Sequence, residues 1–156
     1  MQFVCSLVVV EDIKKSRVLY ENILGQTVVA DFGQNLAFAG GFALHEEKHF
    51  KTLIGNKDVR KNGNSFELYF EEENMEEISE TIKERGFEFV HEIIEQPWRQ
   101  RVLRFYDYDK NIVEIGEPMP HVAYRLHLED KPLEKICKIT YLTPEMVSGA
   151  IEKYSS

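Results

Sequence analysis

An internal repeat narrows the possible folds more than any other feature of the chain. Asp12 and Asn74 are each placed to cap a helix and lie 62 positions apart, as do Cys5 and Glu67, each seven residues before its cap. The glycines that stop the two helices, Gly25 and Gly86, lie 61 apart. Around each cap the expected order is the same: a strand, a helix, then three strands. In the first copy Phe3–Val10 is a β-branched apolar run, and Ile13, Arg17, Tyr20 and Leu24 recur at helical spacing. Three short runs follow, Gln26–Asp31, Gln34–Ala39 and Gly41–Glu47, punctuated by Gly33 and Gly40–Gly41. In the second copy Asn64–Phe70 reads as the strand. Asn74 and Glu77 have capping-box spacing, Met75, Ile78 and Ile82 form the apolar stripe, and Phe87–Ile94 is the next strand. Lys48–Gly63 is polar and reads as a loop or linker between the copies. Repetition at this period points to two copies of one supersecondary unit.

The second copy closes on a hairpin, Trp98–Glu117, with strands at Arg101–Asp107 and Asn111–Glu117 around the turn-rich Asp107-Tyr108-Asp109-Lys110-Asn111. Its second strand, Ile112-Val113-Glu114-Ile115, holds a carboxylate in an apolar run. Alternation sends Glu114 to the face opposite Val113 and Ile115. A buried, unpaired carboxylate is costly, so Glu114 needs water, a cation or a metal in front of it. A turn that pairs Asp107 with Asn111 puts Arg104 directly across from Glu114.

This hairpin resembles the corresponding segment of the vicinal oxygen chelate superfamily, which includes glyoxalase I, bleomycin-resistance proteins, fosfomycin-resistance enzymes and extradiol dioxygenases. The family pattern is Phe, any residue, Asp-Pro-Asp-Gly-Asn, two apolar residues, then Glu. The chain has Phe105, Tyr106, Asp107, Tyr108, Asp109, Lys110, Asn111, Ile112, Val113 and Glu114, with Tyr108 in place of the proline and Lys110 in place of the glycine. The resemblance covers roughly residues 1–118 and implies an α+β fold. Two tandem βαβββ modules, at about 1–47 and 62–118, would form a cup-shaped mixed sheet with the helices outside.

It also implies a site. In metal-dependent relatives the ligands are mostly histidine, glutamine or glutamate, ending in the glutamate at position 114. Here the matching positions hold Cys5, Glu67 and Glu114, with His45 as a fourth candidate. One thiolate with two carboxylates is an unusual donor set for a common metal, so no metal is favoured. Cys5 then reads as a small buried hydrophobe. Arg104 is expected to supply the missing positive charge to Glu67 or Glu114. Val102 and Tyr106 share its face, and Tyr69 and Trp98 offer aromatic walls for a planar ligand. The catalytic candidates, if the chain is an enzyme, are Glu114 and Glu67. Arg99 and Arg101 read as solvated rim charges, and His49, His91, His121 and His127 as surface residues.

Residues 119–156 read as a helical extension, with helices at His121–Leu128, from Pro132 (Leu133, Ile136 and Ile139 inward), and from Pro144 to about Tyr154. The pair around Thr140-Tyr141-Leu142 resembles a helix-turn-helix. The last helix lacks a basic face and the net charge is -8, so nucleic acid is not an expected partner. No apolar run reaches membrane-spanning length, two cysteines make no disulfide scaffold, and no secretory leader is evident, so the default location is cytoplasmic. Three functions compete. The favoured one is a small-molecule binding protein of the glyoxalase/bleomycin-resistance type, a homodimer lacking a complete metal site. The second is a metal-dependent glyoxalase-like lyase or isomerase, or a fosfomycin-resistance-like transferase, using one divalent metal ion. The third is a structural or regulatory module.

Overall fold

The computed structural model describes residues 1–155, so Ser156 of the expected extension lies outside the described residues. The fold is α+β, with two four-stranded sheets followed by three helices. The elements are β1 (Ser6–Val10), α1 (Ile13–Arg17, continued by a π-helical turn Val18–Ile23), β2 (Val28–Asp31), β3 (Asn35–Phe38), β4 (Phe42–Glu46) and α2 (Glu47–Leu53). Then come β5 (Glu67–Glu71), α3 (Met75–Glu84), β6 (Phe89–Glu95), β7 (Arg101–Tyr106), β8 (Ile112–Gly116), α4 (Met119–Leu128), α5 (Leu133–Thr140) and α6 (Pro144–Ser155). The sheets run β1-β4-β3-β2 and β5-β8-β7-β6, the same order of strands in each copy of the repeat. Two compact units result: Met1–Glu67 with Tyr106–Ile112, and Leu68–Phe105 with the chain from Val113 onward.

In the first unit β1 pairs β4 in parallel, from Ser6 opposite Phe42 to Val10 opposite Glu46, and β4, β3 and β2 are antiparallel neighbours. The Asp12 carboxylate accepts the Lys14 and Lys15 N–H groups, as its cap position requires. Val8, Val10, Leu19, Tyr20, Leu36 and Leu44 are buried, and Phe38 stacks on Phe42 with centroids 4.6 Å apart. The hairpin turn is part of this unit. The Asp107 carboxylate accepts the N–H groups of Asp109 (2.9 Å) and Asn111 (2.8 Å), the Asn111 side-chain amide (2.9 Å) and the buried Tyr20 hydroxyl (3.0 Å). Those bonds hold Lys110 at φ 65, a left-handed conformation that costs a non-glycine residue about 1–2 kcal/mol. Burial nevertheless pushes the Asp107 carboxyl up, against the hydrogen bonds that favour its charge.

Three sequence expectations change here. Lys48–Gly63 was expected as a loop, yet α2 occupies Glu47–Leu53. Its support is partly tertiary: His49 stacks on His45 of β4, with Nδ1 of His49 2.8 Å from Nε2 of His45. The strand expected over Asn64–Phe70 begins only at Glu67. Cys5, expected as a small buried hydrophobe, is exposed and lies one residue ahead of β1.

In the second unit Asn74 caps α3 by accepting the Glu77 N–H at 3.2 Å and donating its amide to the Glu77 carboxylate at 2.7 Å. The three C-terminal helices pack on one another through Val122, Ala123, Leu126, Ile136, Val147 and Ala150. Ile136 is buried and Ile139 partly so, but Leu133 stays exposed at the first position of α5, contrary to expectation. Among the described residues no helix is long and apolar enough to cross a membrane.

The strongest polar anchor of this unit is Glu117, just past β8 and fully buried. Its carboxylate accepts from Arg101 Nε (3.2 Å), from Arg125 Nε (3.1 Å) and Nη2 (3.0 Å), and lies 2.8 Å from His121 Nδ1. Arg101 also reaches Glu76 of α3 at 2.7 Å. Arg101 and His121, expected as surface residues, are therefore structural, and the neighbouring Arg99 pairs with Glu129 at 2.9 Å. At the far end of α6 the Tyr154 hydroxyl donates to Glu73 at 2.6 Å.

Burial pushes the Glu117 carboxyl up, but Arg125 and Arg101 outweigh it and hold the group below its ordinary value of 4.5. A depressed carboxyl stabilises the fold above its unfolded value, and that contribution disappears as pH falls through the folded one. Glu117→Gln should therefore cost roughly 2–4 kcal/mol at neutral pH, by removing the buried anion that Arg101 and Arg125 share. The gap from wild type should close in urea titrations taken below the ordinary carboxyl range. Asp107 titrates in the opposite sense in both proteins and cancels from the comparison. A gap independent of pH would show that the charge of Glu117 does not matter.

Candidate functional site

One face of the second sheet carries Tyr69, Arg104 and Glu114, with Trp98 beside it. The Asp107 N–H donates to the Asn111 carbonyl at 2.9 Å, and the Glu117 N–H to the Arg101 carbonyl at 2.8 Å. Both bonds define one register, in which Arg104 of β7 stands opposite Glu114 of β8. The side chains meet: Arg104 Nη2 donates to Glu114 Oε2. Glu114 is buried, so the pairing answers the charge that alternation placed in an apolar strand. On its other side Arg104 pairs with His91 of β6, and its Nη1 lies 3.2 Å from His91 Nε2. His91 Nδ1 lies 2.8 Å from the Glu92 carbonyl, so Nδ1 carries the proton and Nε2 accepts from Arg104. His91 is therefore joined to the Arg104–Glu114 pair, not a stray surface residue.

A second chain of hydrogen bonds lies beside this pair. The Trp98 indole N–H donates to Gln100 Oε1 at 2.9 Å, and Gln100 Nε2 donates to the Tyr69 hydroxyl at 3.0 Å and to the Glu117 carbonyl at 2.9 Å. The Tyr69 hydroxyl donates to Glu71 at 3.1 Å. Burial, then the Glu71 charge, push the Tyr69 phenol up to about 12, so it stays a donor at neutral pH. Gly116 makes this possible, because a Cβ there would come within 2.9 Å of the Tyr69 ring. Tyr69 and Trp98 keep 46% and 40% of their surface exposed, which leaves two aromatic faces open to a ligand. Val102, by contrast, is 1% exposed.

The remaining candidates belong to the first unit. Glu67 lines an open pocket of about 320 Å³ with Asn64, Ser65, Phe66 and Ile112. The Tyr106 hydroxyl donates to Asn64 Oδ1 at 3.1 Å. His45 is buried, with Nδ1 3.1 Å from the Asn35 amide and Nε2 on His49. Burial, then His49, lower its pKa, which favours the neutral ring. These facts bear on a metal. Glu114 is engaged by Arg104, both ring nitrogens of His45 are engaged, and Cys5 lies outside β1. Among the described residues no three His, Cys, Asp or Glu side chains are grouped to hold a metal ion. The donor set implied by the family pattern does not fit one.

Sequence reasoning missed Gln100 and His91. Gln100 lies in the tight turn before β7, where its amide gave no periodic signal. His91 had one available sign, its alternation within a strand that pairs with β7.

The fold and hairpin define a class. The family model described as Glyoxalase-like domain matches residues 3–120, and the chain belongs to that family, within the vicinal oxygen chelate superfamily. Among solved structures, it is similar to a protein of unknown function from Agrobacterium tumefaciens str. C58, with 34% identity and a TM-score of 0.67, covering 75% of this chain and 94% of that one. It is also similar to a glyoxalase/bleomycin resistance protein/dioxygenase family enzyme from Burkholderia phytofirmans PsJN (12% identity, TM-score 0.63, 75% and 98% covered). A glyoxalase-related enzyme from Fulvimarina pelagi is a further match (17%, TM-score 0.60, 72% and 86%). No curated protein matches. The last two likenesses concern the fold alone.

The Arg104–Glu114 pair has a measurable signature. Arg104→Ala and Glu114→Ala should each destabilise the protein by roughly 1–4 kcal/mol, and the double variant should cost clearly less than their sum. Urea denaturation of all four proteins gives the coupling. Strictly additive losses would mean that the two charges do not interact in solution.

Proposed function

We propose that the chain is a small-molecule binding protein of the glyoxalase/bleomycin-resistance type that works without a metal. Its ligand lies on the face of the second sheet that carries Tyr69, Trp98, Arg104 and Glu114. The single observation that carries this reading is Arg104 seated on Glu114. At the position where the family pattern has its last metal ligand, the chain already holds a cation of its own. A lyase or transferase of the metal-dependent kind needs that carboxylate free. The half-exposed Tyr69 and Trp98 suit a planar guest, and the fixed hydrogen bonds of Gln100 hold both rings in place.

Elemental analysis and native mass spectrometry of protein purified from unsupplemented cells test this. The expected result is no stoichiometric Zn, Ni, Mn or Fe, and a retained organic molecule that Arg104→Ala or Tyr69→Ala releases. About one metal ion per chain, lost on Glu114→Ala, would replace this reading with the metal-dependent one.

We also propose that the protein is a homodimer. β2 is an edge strand of the first sheet, and Val29 within it and Phe32 just after it are 62% and 71% exposed. An open apolar edge of that kind invites pairing. Sedimentation at micromolar concentration should show a dimer for the intact chain and a shift toward monomer for Val29→Lys. A monomeric wild type would refute it.

A further inference from the structure

The second unit holds another cleft, which meets the sheet face only at Trp98. It has a volume of about 400 Å³ and is walled by Pro97, Trp98, Lys135, Lys138, Ile139 and Tyr141. That volume is in the range of small-molecule sites. Four of its residues come from α5 and the turn after it, beyond the residue 120 at which the family match ends. The cleft is thus an addition of this chain to its family's domain.

Its chemistry is unlike that of the rest of the surface. The net charge of the chain is -8, yet the cleft is lined by two lysines and no acid. Lys135 and Lys138 are three residues apart on one helix, so their ammonium groups project from the same side. Neither ammonium group has a hydrogen bond or ion pair among the described residues, whereas Arg17, Arg99, Arg101, Arg104 and Arg125 each face a carboxylate. Two adjacent cations without a counter-charge raise the local potential and favour an anion. The other walls are aromatic. Trp98 is half-exposed, and Tyr141 is 87% exposed, held there by a left-handed cap of α5 in which its N–H donates to the Cys137 carbonyl at 2.9 Å.

We propose that this cleft binds a small planar organic anion, an aromatic carboxylate or aryl phosphate. Its ring lies against Trp98 and Tyr141 and its charge against Lys135 and Lys138. Ring and charge are both needed. A lone ion at exposed lysines is screened by salt, and a neutral ring forgoes the only charges the cleft offers.

Trp98 is the only tryptophan in the chain, so its emission reads the cleft without a label. Benzoate and phenyl phosphate are the probes. Benzyl alcohol supplies the ring without the charge, and inorganic phosphate the charge without the ring. The expected result is a saturable emission change with at least one of the two aromatic anions, half-complete at or below about 1 mM, and none with either control. Which anion binds more tightly separates a carboxylate site from a phosphate site. Lys135→Glu with Lys138→Glu should weaken binding at least about tenfold with an unchanged melting temperature, since both side chains are exposed and unpaired. If that variant does not fold, Lys135→Gln with Lys138→Gln gives the same reading. Three results would overturn the proposal: no saturable change by about 10 mM, an equal response to benzyl alcohol, or unaltered binding in the lysine variants. Because Trp98 also borders the sheet face, Arg104→Ala is measured in parallel. Binding lost there but kept in the lysine variants would place the anion on the sheet and end the proposal for the cleft.

Discussion

One register between β7 and β8 holds two ion pairs on opposite faces of the same hairpin. Arg104 and Glu114 meet on one side, and Arg101 and Glu117 on the other. Residues three apart on a strand point in opposite directions, so the two pairs follow from a single alignment. A slip by one residue would exchange the faces, strand four charges and turn Val113 and Ile115 out of the core. The register is held at the turn by the Asp107 carboxylate and at the open end by Glu117. Aligned in this way, the hairpin turns Arg101 and Glu117 toward the helices and Arg104 and Glu114 to the opposite face.

The two pairs do different work because their surroundings differ. Glu117 is buried among Arg101, Arg125 and His121, a network that links β7, β8, α4 and, through Glu76, α3. Burying that carboxylate is tolerable only because several donors complete it. Glu114 has Arg104, which also engages His91 at the edge of a half-open aromatic face. A guanidinium answers the charge of a carboxylate as a metal would, but offers a ligand a fixed fork of donors and no open coordination position.

The C-terminal helices are not a loose appendix. Arg125 of α4 helps neutralise Glu117, Tyr154 of α6 holds Glu73 at the turn before α3, and a cluster centred on Val122, Leu126, Ile136 and Val147 fills the space between the helices. They also add the basic aromatic cleft beside Trp98. In this unit the same elements that complete the core bring in new surface chemistry.

The sequence alone was enough for the repeat, the strand, helix and three-strand order within each copy, and the opposition of Arg104 and Glu114. Those features depend on local signals: caps at a fixed offset, glycine stops, alternation within a strand and a turn that sets its own register. Only the tertiary structure decided the roles of Arg101, His121, His91 and α2. The partners of Arg101 and His121 include Glu76 of α3 and Tyr154 of α6, distant in sequence, and a charge on a strand end reads as solvated until a buried carboxylate is set beside it. α2 draws on the stacking of His49 with His45 across a strand–helix boundary, a contact that periodicity does not encode. Cys5 shows the converse. The repeat aligned it with Glu67, but β1 begins one residue later, and the last residue before a strand owes its burial to what packs around it, which no spacing in the sequence records.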